Sequence, residues 1–154
     1  MRVNFCFDFV IAVADHDANV RKYAALFGIE PIELDPQTLP DSNGRCTIFP
    51  LWNLADRGMV FSVISSSAPA SALNARIRKR GEGLVYLGLD VDDVEAMMRQ
   101  GEAAGVAFQT GEPVAYDYGR MVTVRPETTN SIPIFFSTHR PGWWQKSLNG
   151  GRDR

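Results

Sequence analysis

Residues Val10 to Gly28, VIAVADHDANVRKYAALFG, and Leu87 to Gly105, LGLDVDDVEAMMRQGEAAG, are two imperfect copies of one unit. Each runs from an apolar strand through an Asp-rich turn into an amphipathic helix that stops at Gly. Asp15 and Gly28 match Asp92 and Gly105, both offset by 77 residues, half of the 154-residue chain. An internal repeat of this length constrains architecture more than any single motif does. It predicts two equivalent modules and a cleft lined by equivalent strands.

In the first copy, Phe5 to Val13 reads as a strand, rich in Phe, Val and Ile. Asp15 or Asp17 can cap the following helix, which sets Val20, Tyr23, Ala24 and Phe27 on one face. Further strands are expected at Ile29–Leu34, near Arg45–Trp52 and at Met59–Ser65, with a Pro/Asp/Asn/Gly loop after Leu34. Ser67 can cap a linking helix from about residue 69 to 80. The basic last turn of that helix (Arg76, Arg78, Lys79, Arg80) suits the negative end of a helix dipole, or else a phosphate. The second copy predicts a strand at Leu84–Val91, a helix at Val94–Ala104, and strands at Val106–Thr110, Arg120–Arg125 and Ile132–Thr138.

The expected fold is therefore α+β: one domain of two tandem βαβββ modules, about 5–66 and 83–138. They form a cleft-shaped curved sheet flanked by helices, followed by a tail at 139–154. Strand alternation assigns the faces. Phe5, Phe7, Phe9, Ile11 and Val13 should lie under a helix, as should Val85, Leu87, Leu89 and Val91. Cys6, Asp8, Val10 and Ala12, with Ser62, Tyr86, Gly88, Asp90, Phe135 and Ser137, should face the cleft.

Composition narrows the partners. A net charge of −2 gives no electrostatic reason to expect nucleic acid or an anionic membrane. No stretch approaches the roughly 20 apolar residues of a membrane span, and the N-terminus has no cleavage-site pattern. Two cysteines, Cys6 and Cys46, are too few for a disulfide framework, so a cytoplasmic location is expected. The expected partner is a small molecule, aromatic or acyl in character.

The segments FDFVIAVADHDANVRKYAALFG, GEGLVYLGLDVDDVEAMMRQGEAAGV and GRMVTVRPETTNSIPIFF resemble the vicinal oxygen chelate superfamily, the glyoxalase/bleomycin-resistance/dioxygenase proteins. Within it, the chain is most similar to the methylmalonyl-CoA epimerase and glyoxalase I type. The resemblance implies a homodimer and four metal-ligand positions, one on each of four cleft strands, typically held by His, Gln and Glu. Here those positions carry Asp8, Ser62, Tyr86 and Phe135. A phenyl ring cannot coordinate, a neutral phenol and a hydroxyl are weak ligands, and one carboxylate does not hold a transition metal tightly. No metal and no other cofactor are therefore expected.

Asp8, a carboxylate among aromatic residues on a central strand, is the sharpest candidate. It can act as a general acid or base, or be satisfied by Arg45, Arg120 or Arg125. Tyr86 can donate a hydrogen bond to a substrate oxygen, or simply fill space. Ser62, Phe135, Trp52, Tyr118 and Arg120 are candidates for substrate contact. Cys6 and His139 are weaker ones, and Trp143 and Trp144 suit a groove edge, a dimer contact or a lid. His16 reads as a surface capping residue. The function expected is a metal-independent isomerase, epimerase or lyase that moves a proton next to a carbonyl. A metal-free binding protein of the bleomycin-resistance type is the alternative. A metal enzyme would need ligands from elsewhere, such as Glu112, Asp117 or His139.

Overall fold

The computed structural model describes residues 2–36, 43–54, 57–116, 119–140 and 142–143. Eight strands form one sheet in the order β2-β3-β4-β1-β5-β8-β7-β6. Module one contributes β1 (Phe5–Ala12), β2 (Ile32–Glu33), β3 (Gly44–Leu54) and β4 (Arg57–Ser66). Module two contributes β5 (Gly83–Asp90), β6 (Val114–Tyr116), β7 (Gly119–Thr123) and β8 (Ile134–His139). Three helices complete the α+β fold: α1 (His16–Phe27), the linking α2 (Ala72–Arg80) and α3 (Val94–Ala103). The modules are related by a pseudo-two-fold axis through the antiparallel β1/β5 junction. On either side of it the same parallel pair recurs, β1 with β4 and β5 with β8.

Capping fixes where the copies correspond. The Asp15 side chain accepts from Ala18 N at the start of α1, and that of Asp93 accepts from Ala96 N at the start of α3. The equivalent of Asp15 is therefore Asp93, not Asp92, and the repeat offset through strand and cap is 78. Both copies close on a glycine of left-handed backbone, Gly28 (φ 64°) and Gly105 (φ 81°), so the second helix is shorter. The linking helix begins later than expected, capped by Ser71 rather than Ser67, where Asn74 N donates to the Ser71 hydroxyl. The expected strand at Val106–Thr110 is reduced to one bridge, Phe108 to Val124. Phe108 anchors against α3, while Gln109, Thr110 and Gly111 beyond it have no apolar face to bury. The edge strand β6 forms instead at Val114–Tyr116, antiparallel to β7.

Helices α1 and α3 cover the outer face of the sheet. Ile11, Val13, Phe49 and Val63 pack against Val20, Tyr23, Ala24 and Phe27 of α1. Val122, Val124 and Phe108 pack against Val94, Met97 and Met98 of α3. The opposite, groove-lining face carries a third cluster that includes Val10, Ala12, Ile48, Val60 and Phe135. Leu73 and Ile77 of α2 pack onto this cluster rather than onto the outer face.

Two β-bulges correct the simple alternation. The β1/β5 register shifts between Cys6 and Asp8 and again between Val10 and Ile11. The extra residues are Phe7 on β1 and Val85 on β5, which are 78 apart and so occupy equivalent positions. Both join the groove cluster, with Phe7 4% and Val85 2% exposed. Ahead of the first bulge the faces exchange: Phe5 stands opposite Asp90 in the groove phase, and Cys6 stands opposite Leu89. Phe5, Phe7 and Val85 therefore lie not under α1 or α3 but in the groove cluster onto which α2 packs, and Cys6 does not share the face of Asp8. A bulge adds one residue to one strand and reverses every side chain beyond it, which no count of periods shows.

Candidate active site

Asp8 lies in register with Val60 of β4 and Gly88 of β5, and Gly88 in turn with Phe135 of β8. Val10 lies opposite both Ser62 and Tyr86. These pairings bring Asp8, Ser62, Tyr86 and Phe135 onto one face at the centre of the sheet, two from each module. The buried Ser62 hydroxyl donates to Asp8 Oδ1 at 2.7 Å. Burial pushes the Asp8 carboxyl up to about 7, against the opposing pull of that hydrogen bond. The three arginines that could neutralise Asp8 are engaged elsewhere: Arg45 with Asp17 and Glu33, Arg120 with Glu95, and Arg125 with the Phe108 carbonyl.

Aromatic rings build the wall around this carboxyl. Phe135 meets Phe7 edge-on at 5.4 Å and Tyr86 at 6.0 Å between ring centres. Gly88 makes room for them. A Cβ at that position would stand 2.6 Å from Phe135 Cζ, 2.9 Å from Phe7 Cζ and 2.9 Å from Asp8 Cβ. The buried Cys46 thiol, whose ionisation burial opposes strongly, belongs to the same cluster. Cys6 is half-buried, its thiol pushed up chiefly by burial, and its Sγ donates to the Asp8 carbonyl at 3.8 Å. Neither cysteine has the environment of an activated thiolate.

Arg120 does not line the groove. It alternates with Met121, which packs on the groove cluster, and it pairs with Glu95 of α3 on the outer face. Trp52 follows a bulge in β3 and stands opposite Met59, out of phase with Val60 and Ser62, and is 40% exposed. Its phase is that of the outer face, so it does not line the groove. Tyr118, Asp117 and Trp144 lie outside the described residues. His16 is not a surface residue: it is 5% exposed, with Nε2 2.8 Å from the Thr47 hydroxyl and Nδ1 2.9 Å from that of Ser65. Burial holds its ring below the ordinary histidine range, helped by the nearby Arg45 charge.

At the far end of the same face, alternation brings Asp90 into the phase of Tyr86 and Gly88, and His139 into that of Phe135 and Ser137. His139 Nδ1 lies 2.7 Å from Asp90 Oδ1, and both side chains are largely buried. Alternation alone assigns Asp90 to the cleft face. Its pairing with a histidine 49 residues away depends on the β5/β8 register and was not legible beforehand.

The donor set does not suit a catalytic metal. The four aligned positions offer one carboxylate, one hydroxyl, one phenol and one phenyl ring. No group of three or more His, Cys, Asp and Glu side chains is placed to hold an ion among the described residues. Of the suggested replacement ligands, Glu112 is exposed and His139 is paired with Asp90. Among the described residues no helix is long and apolar enough to cross a membrane.

The comparisons agree with this architecture. The sequence model of the glyoxalase/bleomycin resistance protein/dioxygenase superfamily matches residues 8–124. The chain belongs to that superfamily. Among solved structures, a Streptomyces coelicolor methylmalonyl-CoA epimerase variant in complex with 2-nitronate-propionyl-CoA aligns with a TM-score of 0.77 at 20% identity, covering 90% of this chain and 96% of that one. Methylmalonyl-CoA epimerase from Mycobacterium tuberculosis aligns with a TM-score of 0.75 at 20% identity, over 93% of each chain. A hypothetical protein from Bacillus halodurans gives 0.75 at 17% identity, over 88% of this chain and 94% of that one. At these identities the likeness establishes the fold. A search of curated protein sequences finds no match.

Proposed function

We propose that this chain is a metal-independent acid–base enzyme of the isomerase, epimerase or lyase type, acting on the carbon next to a carbonyl. The observation that carries the reading is the Asp8 carboxyl, set among aromatic rings and hydrogen-bonded to Ser62 at 2.7 Å. A carboxyl pushed up to about 7 is a far stronger base once ionised than an ordinary aspartate, and it exchanges a proton near neutral pH. Asp8 takes the α-proton, and the Tyr86 phenol, on the same face, donates to the carbonyl oxygen as negative charge develops there. The apolar wall of Phe7 and Phe135 keeps water from competing for both groups. Structures of similar fold belong to methylmalonyl-CoA epimerases, one of them in complex with methylmalonyl-CoA, which supports an acyl thioester as the substrate class.

The test follows the α-proton. With methylmalonyl-CoA in deuterated buffer, the protein should catalyse α-hydrogen exchange seen by NMR, unchanged by a strong chelator. Asp8→Asn should lower the rate by about a thousandfold. Full activity in that variant, or loss of activity on chelation, overturns the reading.

A binding protein is the second reading, favoured by the apolar character of the groove cluster around Phe135 and Val60. Calorimetry on acyl-CoA and planar aromatic ligands separates the two: tight binding without exchange or turnover supports sequestration.

A further inference from the structure

The linking helix is more cationic than α1 or α3, and it alone lies on the groove side. The whole sequence carries a net charge of −2, yet α2 holds Arg76, Arg78, Lys79 and Arg80 and no acid. It crosses the end of the sheet where β4 finishes, β5 begins and Ala12 of β1 pairs with Gly83. Leu73 and Ile77 anchor it on the groove cluster. Helical spacing sets Arg76, Lys79 and Arg80 (i, i+3, i+4) on one flank of that apolar stripe. This flank faces the start of β5, where Arg76 Nη2 donates to the Leu84 carbonyl at 2.6 Å. Arg78 turns the other way, to the Pro69 carbonyl at 2.9 Å.

Among the described residues, the three flanking cations have no carboxylate partner. Glu82, the acid that follows the helix, accepts from Ala14 N at 2.7 Å. Lys79 and Arg80 are exposed, and Arg76 keeps further N–H donors beyond the one spent on Leu84. The negative end of a helix dipole amounts to about half a charge. Three clustered cations exceed what it balances. The surplus suits a ligand with several negative charges, and the arginine fork matches the oxygens of a phosphate.

Distance selects the ligand. Asp8 and Ala12 stand four residues apart on β1, roughly 13 Å, with Tyr86 beside the strand between them. The pantetheine arm of coenzyme A, from sulfur to the first phosphate, has about as many bonds as four extended residues and spans on the order of 14 Å. An acyl group at Asp8 therefore places the phosphates at α2 when the arm runs past Tyr86. We propose that Arg76, Lys79 and Arg80 form the anion site for the phosphates of a coenzyme A thioester; the inference rests on the acyl thioester reading of the groove. Contacts made this far from the reacting carbon hold the α-carbon in place against Asp8.

Calorimetry with coenzyme A, and with pantetheine as the phosphate-free probe, tests the site. Lys79→Gln combined with Arg80→Gln should raise the coenzyme A Kd about tenfold and move the pantetheine Kd by no more than about twofold. KM for methylmalonyl-CoA in the α-hydrogen exchange assay should rise by a similar factor. Arg99→Gln, which removes an exposed cation of α3, should leave the coenzyme A Kd at its wild-type value. An unchanged coenzyme A Kd in the double variant overturns the proposal, and a lower melting temperature beside it would show that the cations serve only the helix end. An equal loss of affinity for both probes, or wild-type protein that binds no coenzyme A, also overturns it. Wild-type protein that binds coenzyme A through these residues yet exchanges no α-hydrogen overturns the acid–base reading of Asp8 alone, so the two failures are distinct.

Discussion

The two modules share a frame and differ in what they bury within it. At equivalent positions 78 apart, both have a bulge (Phe7 and Val85), both cap their helix with Asp (Asp15 and Asp93), and both end it on a left-handed glycine. The first residue of the helix is buried in each, yet it is His16 in module one and Val94 in module two. Module one therefore encloses a polar knot of His16, Thr47 and Ser65 where module two has Val94, Met97 and Met98. On the groove face, Val10 of module one faces Tyr86, while its equivalent Gly88 admits Phe135 and Phe7. The difference shows that the frame depends on caps, bulges and two apolar sheet faces. Within those limits each module is free to diverge in chemistry, and the buried carboxyl at the centre of the candidate site, Asp8, comes from the first.

The comparison breaks most visibly at Asp8. Its raised folded value favours the protonated form in the native state, so its contribution is complete below the ordinary value of 3.8 and is lost as pH rises to about 7. Chemical denaturation across this window should show stability falling by as much as about 4 kcal/mol through this group, and Asp8→Asn should abolish that slope. Module two contributes no comparable group at the equivalent Tyr86 position.

Gly88 gives the next effect. Gly88→Ala should destabilise by about 2–3 kcal/mol in equilibrium unfolding, because the added methyl meets two rings and the Asp8 Cβ. Phe135→Ala in the same chain should recover part of the loss, a coupling that a double-mutant cycle would measure. The reciprocal change Val10→Gly should cost a similar amount through a cavity and lost backbone order instead.

His16→Leu should cost about 1–3 kcal/mol by leaving the Thr47 and Ser65 hydroxyls without their shared partner. Wild-type protein should also lose stability as pH falls below the ordinary histidine value of 6.5, since the folded ring resists protonation, and the leucine variant should not. The smallest effect is the most symmetric: Asp15→Ala and Asp93→Ala should each lower the melting free energy by about 1 kcal/mol. Unequal losses would show that the two frames are less alike than their caps indicate.

Much of the centre of the site could be read before the fold was seen. The repeat located the paired strands, and alternation placed Asp8, Ser62, Tyr86 and Phe135 on one face. The surroundings of His16, Arg120 and the Asp90–His139 pair are not legible in the sequence, because each depends on what a neighbouring strand or helix presents. Arg120 is drawn outward by Glu95, and His16 is enclosed by hydroxyls of β3 and β4.

By itself the sequence determined the duplicated α+β frame, since caps, glycine stops and apolar periodicity are local properties of the chain. It also determined that the four aligned positions offer a single carboxylate, Asp8, beside a hydroxyl, a phenol and a phenyl ring, since donor capacity belongs to the residue type. Only the tertiary structure decided which side chains share the groove. Two bulges turn Phe7 and Val85 inward, and strand register joins Asp90 to His139. Those outcomes depend on hydrogen-bond pairing between segments distant in sequence, where one extra residue exchanges the two faces of a strand.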